Sequence, residues 1–261
     1  MTVCSIMVCM IETAFIWILH LVGFTIAYQK QTDAITDFSY ALGFVGSIWI
    51  SYYLVPFDVL NLIVAVAVTL WAFRLGGYLA FRVKLVGKDA RFDEVRTSFL
   101  KFGSFWFFQA ATICIMILPF KLVFADTAKT PVIWVSWWSL IYLVGFLIEA
   151  VSDWQKFQFK RRYPTSFCSV GLWKICRHPN YLGEIICWWS LALLVSYKCS
   201  GWGHIIWISP MWITFLLIKV SGIPPLEKAW TSKYSGDSDY QEYLRQTDRL
   251  SPLKWFLGVK K

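Results

Sequence analysis

Charged side chains are scarce in this sequence, at 16% of 261 residues, where a soluble domain carries about 25%. The shortage is uneven. Residues 38–57, 102–120, 131–148 and 201–218 contain no Asp, Glu, Lys or Arg at all. Each run is close to the roughly 20 apolar residues that cross a bilayer as a helix, which excludes an ordinary soluble domain. Histidine is also rare, with three residues, and the seven cysteines (4, 9, 114, 168, 176, 187 and 199) show no C-x-x-C spacing. No metal ligand set is therefore expected, and the cysteines read as small buried hydrophobes. Internal repeats and low-complexity tracts are absent, which removes solenoids. The first apolar stretch has no basic start and outruns a signal-peptide core, so it reads as a first span rather than a cleaved leader.

What the chain does contain is apolar and aromatic: 57% hydrophobic and 19% aromatic residues. Three further apolar segments carry one internal charge each: 6–28 with Glu12, 59–81 with Arg74 and 181–197 with Glu184. Together these predict an all-α, polytopic transmembrane bundle of about seven spans, followed by a short amphipathic C-terminal segment. The segments are too long for barrel strands, and lipid leaves no other way to satisfy so much backbone. Nineteen of the 25 Lys and Arg fall in 82–101, 152–177 and 222–261, after the third, fifth and seventh segments. Alternating topology puts all three stretches on one face, which the positive-inside tendency makes cytoplasmic, with the C-terminus on that side. The net charge of +9 is then mainly an orientation signal. Nucleic-acid binding is not expected, because no free basic domain exists. Trp106, Trp134, Trp188, Trp202 and Trp255 near span ends suit an aromatic belt among membrane lipids.

The stretch GLWKICRHPNYLGEIICWW (171–189) sets a charged cluster against an apolar run. Pro179 fits the first turn of a helix, where its missing N–H is no loss. The helix start, flanked by Arg177 and His178, offers unpaired N–H groups and the positive dipole end to an anion. Asn180, Tyr181 and Glu184 lie within reach on the first turns. The same residues also suit an interfacial cap, with Arg177 snorkelling to head groups. Upstream, IEAVSDWQKFQFKRR (148–162) places Glu149, Asp153, Lys156 and Lys160 on one helical face. Acids followed by bases could meet a ligand with an amide or ribose at one end and phosphates at the other. A self-paired, solvated helix end is the plain alternative. Glu149 sits deepest, where an ionisable group is functional by default. In the tail, Pro224 and Pro225 break the seventh span. Glu227, Lys233, Tyr234, Tyr240 and Tyr243 then form a cluster able to close over the same face, or simply to lie on the membrane.

Taken together, GLW–RHPNYLGE–WW, LWAFRLGGYLAFR, GKDARF, EAVSDWQKFQF, SGIPPLE and YQEYLRQTDRLSP resemble the steroid 5-alpha-reductase-like membrane enzymes. The likeness is greatest to the branch carrying a steroid-reductase C-terminal domain, and it runs from Val59 to Pro252. The resemblance implies a fold whose C-terminal half cups NADPH from the cytoplasmic side. Residues 59–261 would form this reductase-like domain, and 1–58 the N-terminal helices on the side of a lipid-soluble substrate. It also implies three cofactor segments: Glu149, Asp153, Lys156 and Lys160; Trp173, Asn180, Tyr181 and Glu184; and Glu227, Lys233, Tyr234 and Tyr243, which Arg177 and His178 join from the anion-site reading above. Lys160 stands where those reductases have Arg, so a point charge replaces a fork. Trp71 stands where they have a carbonyl-polarising Tyr, which leaves the catalytic residue unassigned among Glu12, Tyr53, Asp58 and Tyr78. An endoplasmic reticulum location follows from the likeness alone. Isoprenylcysteine carboxyl methyltransferases share an Arg-His-Pro-x-Tyr-x-Gly segment, which implies as an alternative a methyltransferase using S-adenosylmethionine. A non-enzymatic membrane scaffold is the third class.

Overall fold

The computed structural model describes residues 3–86, 93–126 and 128–256, with the side chains of 3–8, 78–86, 93–94 and 255–256 set aside. GKDARF lies outside the described residues, as do the side chains of Cys4, Tyr78, Trp255 and Phe256. The described residues form eleven α-helices and no strand. These are α1 (Val3–Gln29), α2 (Thr36–Tyr53), α3 (Val59–Val86), α4 (Asp93–Arg96), α5 (Phe99–Phe124), α6 (Val132–Arg162), α7 (Pro179–Ser196), α8 (Ile208–Phe215), α9 (Ile223–Lys233), α10 (Ser238–Gln246) and α11 (Leu253–Phe256). Each of the seven apolar segments is helical over most of its length, that of 38–57 only as far as Tyr53. Five helical stretches are long and apolar enough to cross a membrane: Cys9–Gln29, Val59–Gly77, Phe99–Phe124, Val132–Arg162 and Gly201–Lys233. This is the architecture of an integral membrane protein. The helices α2 and α7 are 18 residues each and less apolar. Asp37 and three serines dilute α2, and Asn180 and Glu184 dilute α7.

Local chemistry accounts for the helix ends. Ser98 caps α5 by accepting from the Lys101 N–H, and Asp237 caps α10 by accepting from Asp239 and Tyr240. Pro179 opens α7 as expected. A π-helical turn at Leu216–Val220 precedes α9, whose first turn holds Pro224 and Pro225.

The chain divides into two compact units. The first comprises 1–131 and 195–209. In it α2 packs on α1, α3 and α5, around Ile16, Phe44, Ile48, Val68, Trp71, Trp106, Ile113 and Phe120. Trp106 is buried here and Trp188 in the second unit, against the expectation of an interfacial belt, whereas Trp202 is 76% exposed. A clasp joins three connections of the first unit. The Lys198 ammonium donates to the Asp58 carboxylate at 2.6 Å and to the Asp126 carbonyl at 3.1 Å. Burial pushes the Asp58 carboxyl up, but Lys198 and the Leu60 N–H hold it below its ordinary value.

The second unit comprises 132–194 and 210–261. Its helices α6 and α7 touch backbone to backbone at a pair of glycines. A Cβ on Gly183 would fall 2.6 Å from both the Glu149 nitrogen and the Gly145 oxygen. That crossing sets Glu149, which is 2% exposed, against the first turns of α7.

Candidate functional site

The predicted residues lie in the second unit, and a chain of contacts links most of them. After α6 the backbone turns at Gly171, whose φ of +58° is left-handed and whose Cβ would collide with Gln155. The short 3₁₀ helix Gly171–Lys174 then buries Trp173. Its indole donates to the Ser152 carbonyl at 2.9 Å, and its own carbonyl accepts from the Tyr243 hydroxyl at 2.7 Å. Lys156 points its ammonium between two indoles, 4.6 Å from the ring centre of Trp173 and 4.8 Å from that of Trp230. Such a cage holds a cation through the ring quadrupoles.

His178 continues the layer, stacked between Tyr181 at 5.6 Å and Trp230 at 5.4 Å. Burial lowers its imidazole from 6.5 to about 4, against the opposing pull of Glu227, so it is neutral at pH 7. Glu227 collects the positive groups. Arg177 reaches one oxygen at 3.1 Å with His178 3.5 Å away, and Arg249 reaches the other at 2.8 Å. Arg177 also donates to the carbonyls of Leu244 and Thr247. The tail is stitched alongside: Cys176 and Asp248 form an isolated parallel bridge, with the Arg177 N–H on the Asp248 carbonyl at 2.9 Å. Burial pushes the Cys176 thiol up to about 11, which removes it as a nucleophile.

A second cluster gathers Tyr234, Tyr240 and Tyr243 around Phe167. Lys160 donates to the Ser166 carbonyl and lies 3.3 Å from the Tyr234 hydroxyl. Lys233 stands 5.3 Å over the Tyr234 ring. Asp153 is buried on α6, and Asn180 and Glu184 are half-buried at the start of α7. The Asn180 carbonyl oxygen is buried without a hydrogen-bond partner among the described residues. Lys156, Lys160 and Arg177 thus have partners within the protein.

The less committed positive charge lies elsewhere. A hollow of about 840 Å³ is rimmed by Lys219, Lys228, Arg249, Thr231 and Ser232, with Glu227 in its wall. Lys219 and Lys228 are exposed and form no ion pair among the described residues. A polyanion meets three cations and several hydroxyls there, against one carboxylate that Arg177 and Arg249 already neutralise. Sequence reasoning missed Trp230, Lys219, Lys228 and Arg249. Trp230 was within reach, because it follows Glu227 by three residues and shares its helical side. The others meet only through the fold of the tail.

The resemblance-derived candidates for a catalytic group fall in the first unit. Trp71 is buried edge-on against Phe44 at 5.0 Å. Tyr53 is 75% exposed, and Asp58 belongs to the Lys198 clasp. Glu12 is fully buried and accepts from the Ser51 hydroxyl.

Five helical stretches of membrane-spanning length and no strand among the described residues define an all-helical integral membrane protein. The model of the DUF1295 family, described as a protein of unknown function, matches residues 23–247, and the chain belongs to that family. The family is related to steroid 5-alpha-reductase-like membrane proteins. No curated protein and no solved structure matches the chain.

Proposed function

We propose that the chain is a membrane-embedded, NADPH-dependent reductase of an activated C=C bond in a lipid-soluble, steroid- or enoyl-type substrate. The observation that carries this reading is the hollow rimmed by Lys219, Lys228 and Arg249. Three cations suit the phosphates of a dinucleotide. S-adenosylmethionine offers a single carboxylate beside its own positive sulfonium, and needs no such rim.

The residues fit NADPH chemically. Lys219, Lys228 and Arg249 would hold phosphate, and Thr231, Ser232 and Ser235 would donate hydrogen bonds. When bound, the cofactor supplies hydride. Lys156 and the neutral His178 pack within the aromatic layer of Trp173, Trp230 and Tyr181 beside Glu227. The same reading takes α2 and α7 as two further, less apolar spans to make seven, with the C-terminus on the cytoplasmic side and, if the cell is eukaryotic, the endoplasmic reticulum as the membrane. The reading is tested by thermal unfolding of the purified full chain with NADPH or S-adenosylmethionine. Stabilisation by NADPH is expected; stabilisation by the methyl donor, and none by NADPH, overturns it.

A further inference from the structure

A second hollow lies at the C-terminal end of α6. It measures about 420 Å³ and is lined by Trp154, Gln158, Phe159, Arg162, Tyr163 and Val170. Trp154 and Tyr163 are 59% and 56% exposed. A large indole and a phenol left this open in water forfeit apolar burial, and their polar tips add to the demand for an amphipathic neighbour. Arg162 forms no ion pair among the described residues, and Arg161 beside it lies over the Phe157 ring at 5.8 Å.

The position along α6 identifies that neighbour. Trp154 follows Val132 by six helical turns, about 33 Å along the axis. The hydrocarbon core of a bilayer is about 30 Å thick. With Val132 at one edge of the core, Trp154 reaches the other, at the depth where Trp and Tyr concentrate. Arg162 stands about 12 Å further along the axis, and its side chain can bend back towards the head groups. A cation at head-group level, above an aromatic wall at the core boundary, matches a phosphate ester whose acyl chains continue down the apolar face of α6. That face carries Val151, Leu147, Val144 and Leu140, all exposed.

We propose that this hollow binds the head group of an anionic phospholipid, with its phosphate on Arg162 and its glycerol region against Trp154 and Tyr163. The site does not depend on the reductase reading. The delipidated full chain is titrated by native mass spectrometry with phosphatidylglycerol and with phosphatidylcholine of the same acyl chains. Phosphatidylglycerol should be retained preferentially, and Arg162→Gln should weaken its retention about fivefold, the effect of one basic residue near an anionic surface. Arg161→Gln, which changes net charge equally, should leave retention unchanged. Trp154→Ala should weaken retention of both lipids. Equal retention of the two lipids overturns the proposal, as does an equal loss in the two arginine variants, which indicates diffuse attraction rather than a site. Both arginines are exposed, and an unchanged thermal midpoint in each variant confirms that it folds.

Discussion

Glu227→Gln makes the sharpest demand on the site, because stability and anion affinity should move in opposite directions. The carboxylate is held by Arg177 at 3.1 Å and Arg249 at 2.8 Å, and its side chain is 16% exposed. It joins α9 to the start of α7 and to the tail. Breaking a buried ion pair by removing one partner costs about 3–5 kcal/mol. Two features reduce this. Arg177 keeps its bonds to the Leu244 and Thr247 carbonyls, and Arg249, 61% exposed, returns to water. A loss of about 2–3 kcal/mol follows, or roughly 4–12 °C in thermal midpoint for a chain of this size. The same substitution removes the negative charge from the wall of the cationic hollow. Pyrophosphate should therefore bind more tightly, by about fivefold. Tryptophan fluorescence during heating at pH 7.5, with and without pyrophosphate, reads both quantities. A midpoint within 2 °C of the wild type, or weaker pyrophosphate binding, refutes the reasoning.

His178 titrates near 6.5 when unfolded and about 4 when folded, so between those values the unfolded chain binds more protons and stability falls with acidification. The loss from pH 7 to pH 5 should be about 2 kcal/mol. It should shrink in His178→Phe, which keeps the aromatic stack; an identical pH profile contradicts the assignment. Gly183→Ala forces a Cβ to within 2.6 Å of backbone atoms on α6 and should lower stability by about 1–3 kcal/mol; a neutral thermal shift would show that the helices separate freely. In the first unit, Asp58→Asn leaves the Lys198 ammonium, 1% exposed, without its counter-charge, whereas Lys198→Met leaves an Asp58 that is 29% exposed. The Asp variant should be the less stable of the two in parallel melts.

Much of the architecture was legible because lipid imposes simple arithmetic. Runs such as 102–120 and 131–148 have no alternative to a helix, and Pro179, Pro224 and Pro225 mark boundaries that any helix must respect. The continuity of α6 out to Arg162 followed from the spacing of Glu149, Asp153, Lys156 and Lys160. The tryptophans were read less well: Trp106 and Trp188 look like belt residues by position in a span, yet both are buried. Burial depends on which face a neighbouring helix covers, and no local pattern reports that. Within the site, each charged residue was visible but its partner was not. Arg177 looked free for an anion until the tail brought Glu227 to it, a contact across 50 positions. The rim of Lys219, Lys228 and Arg249 is assembled by the π-helical turn, α9 and the segment after α10, three pieces with no shared periodicity.

The central claim is that this rim receives a dinucleotide's phosphates, and its most direct test is a fluorescence titration of NADPH against the purified chain and its Lys219→Gln, Lys228→Gln double variant. Loss of two charge-assisted contacts of about 1.5 kcal/mol each should weaken binding about 100-fold while leaving the thermal midpoint unchanged. No NADPH binding by the wild type, or equal affinity in the two proteins, contradicts it.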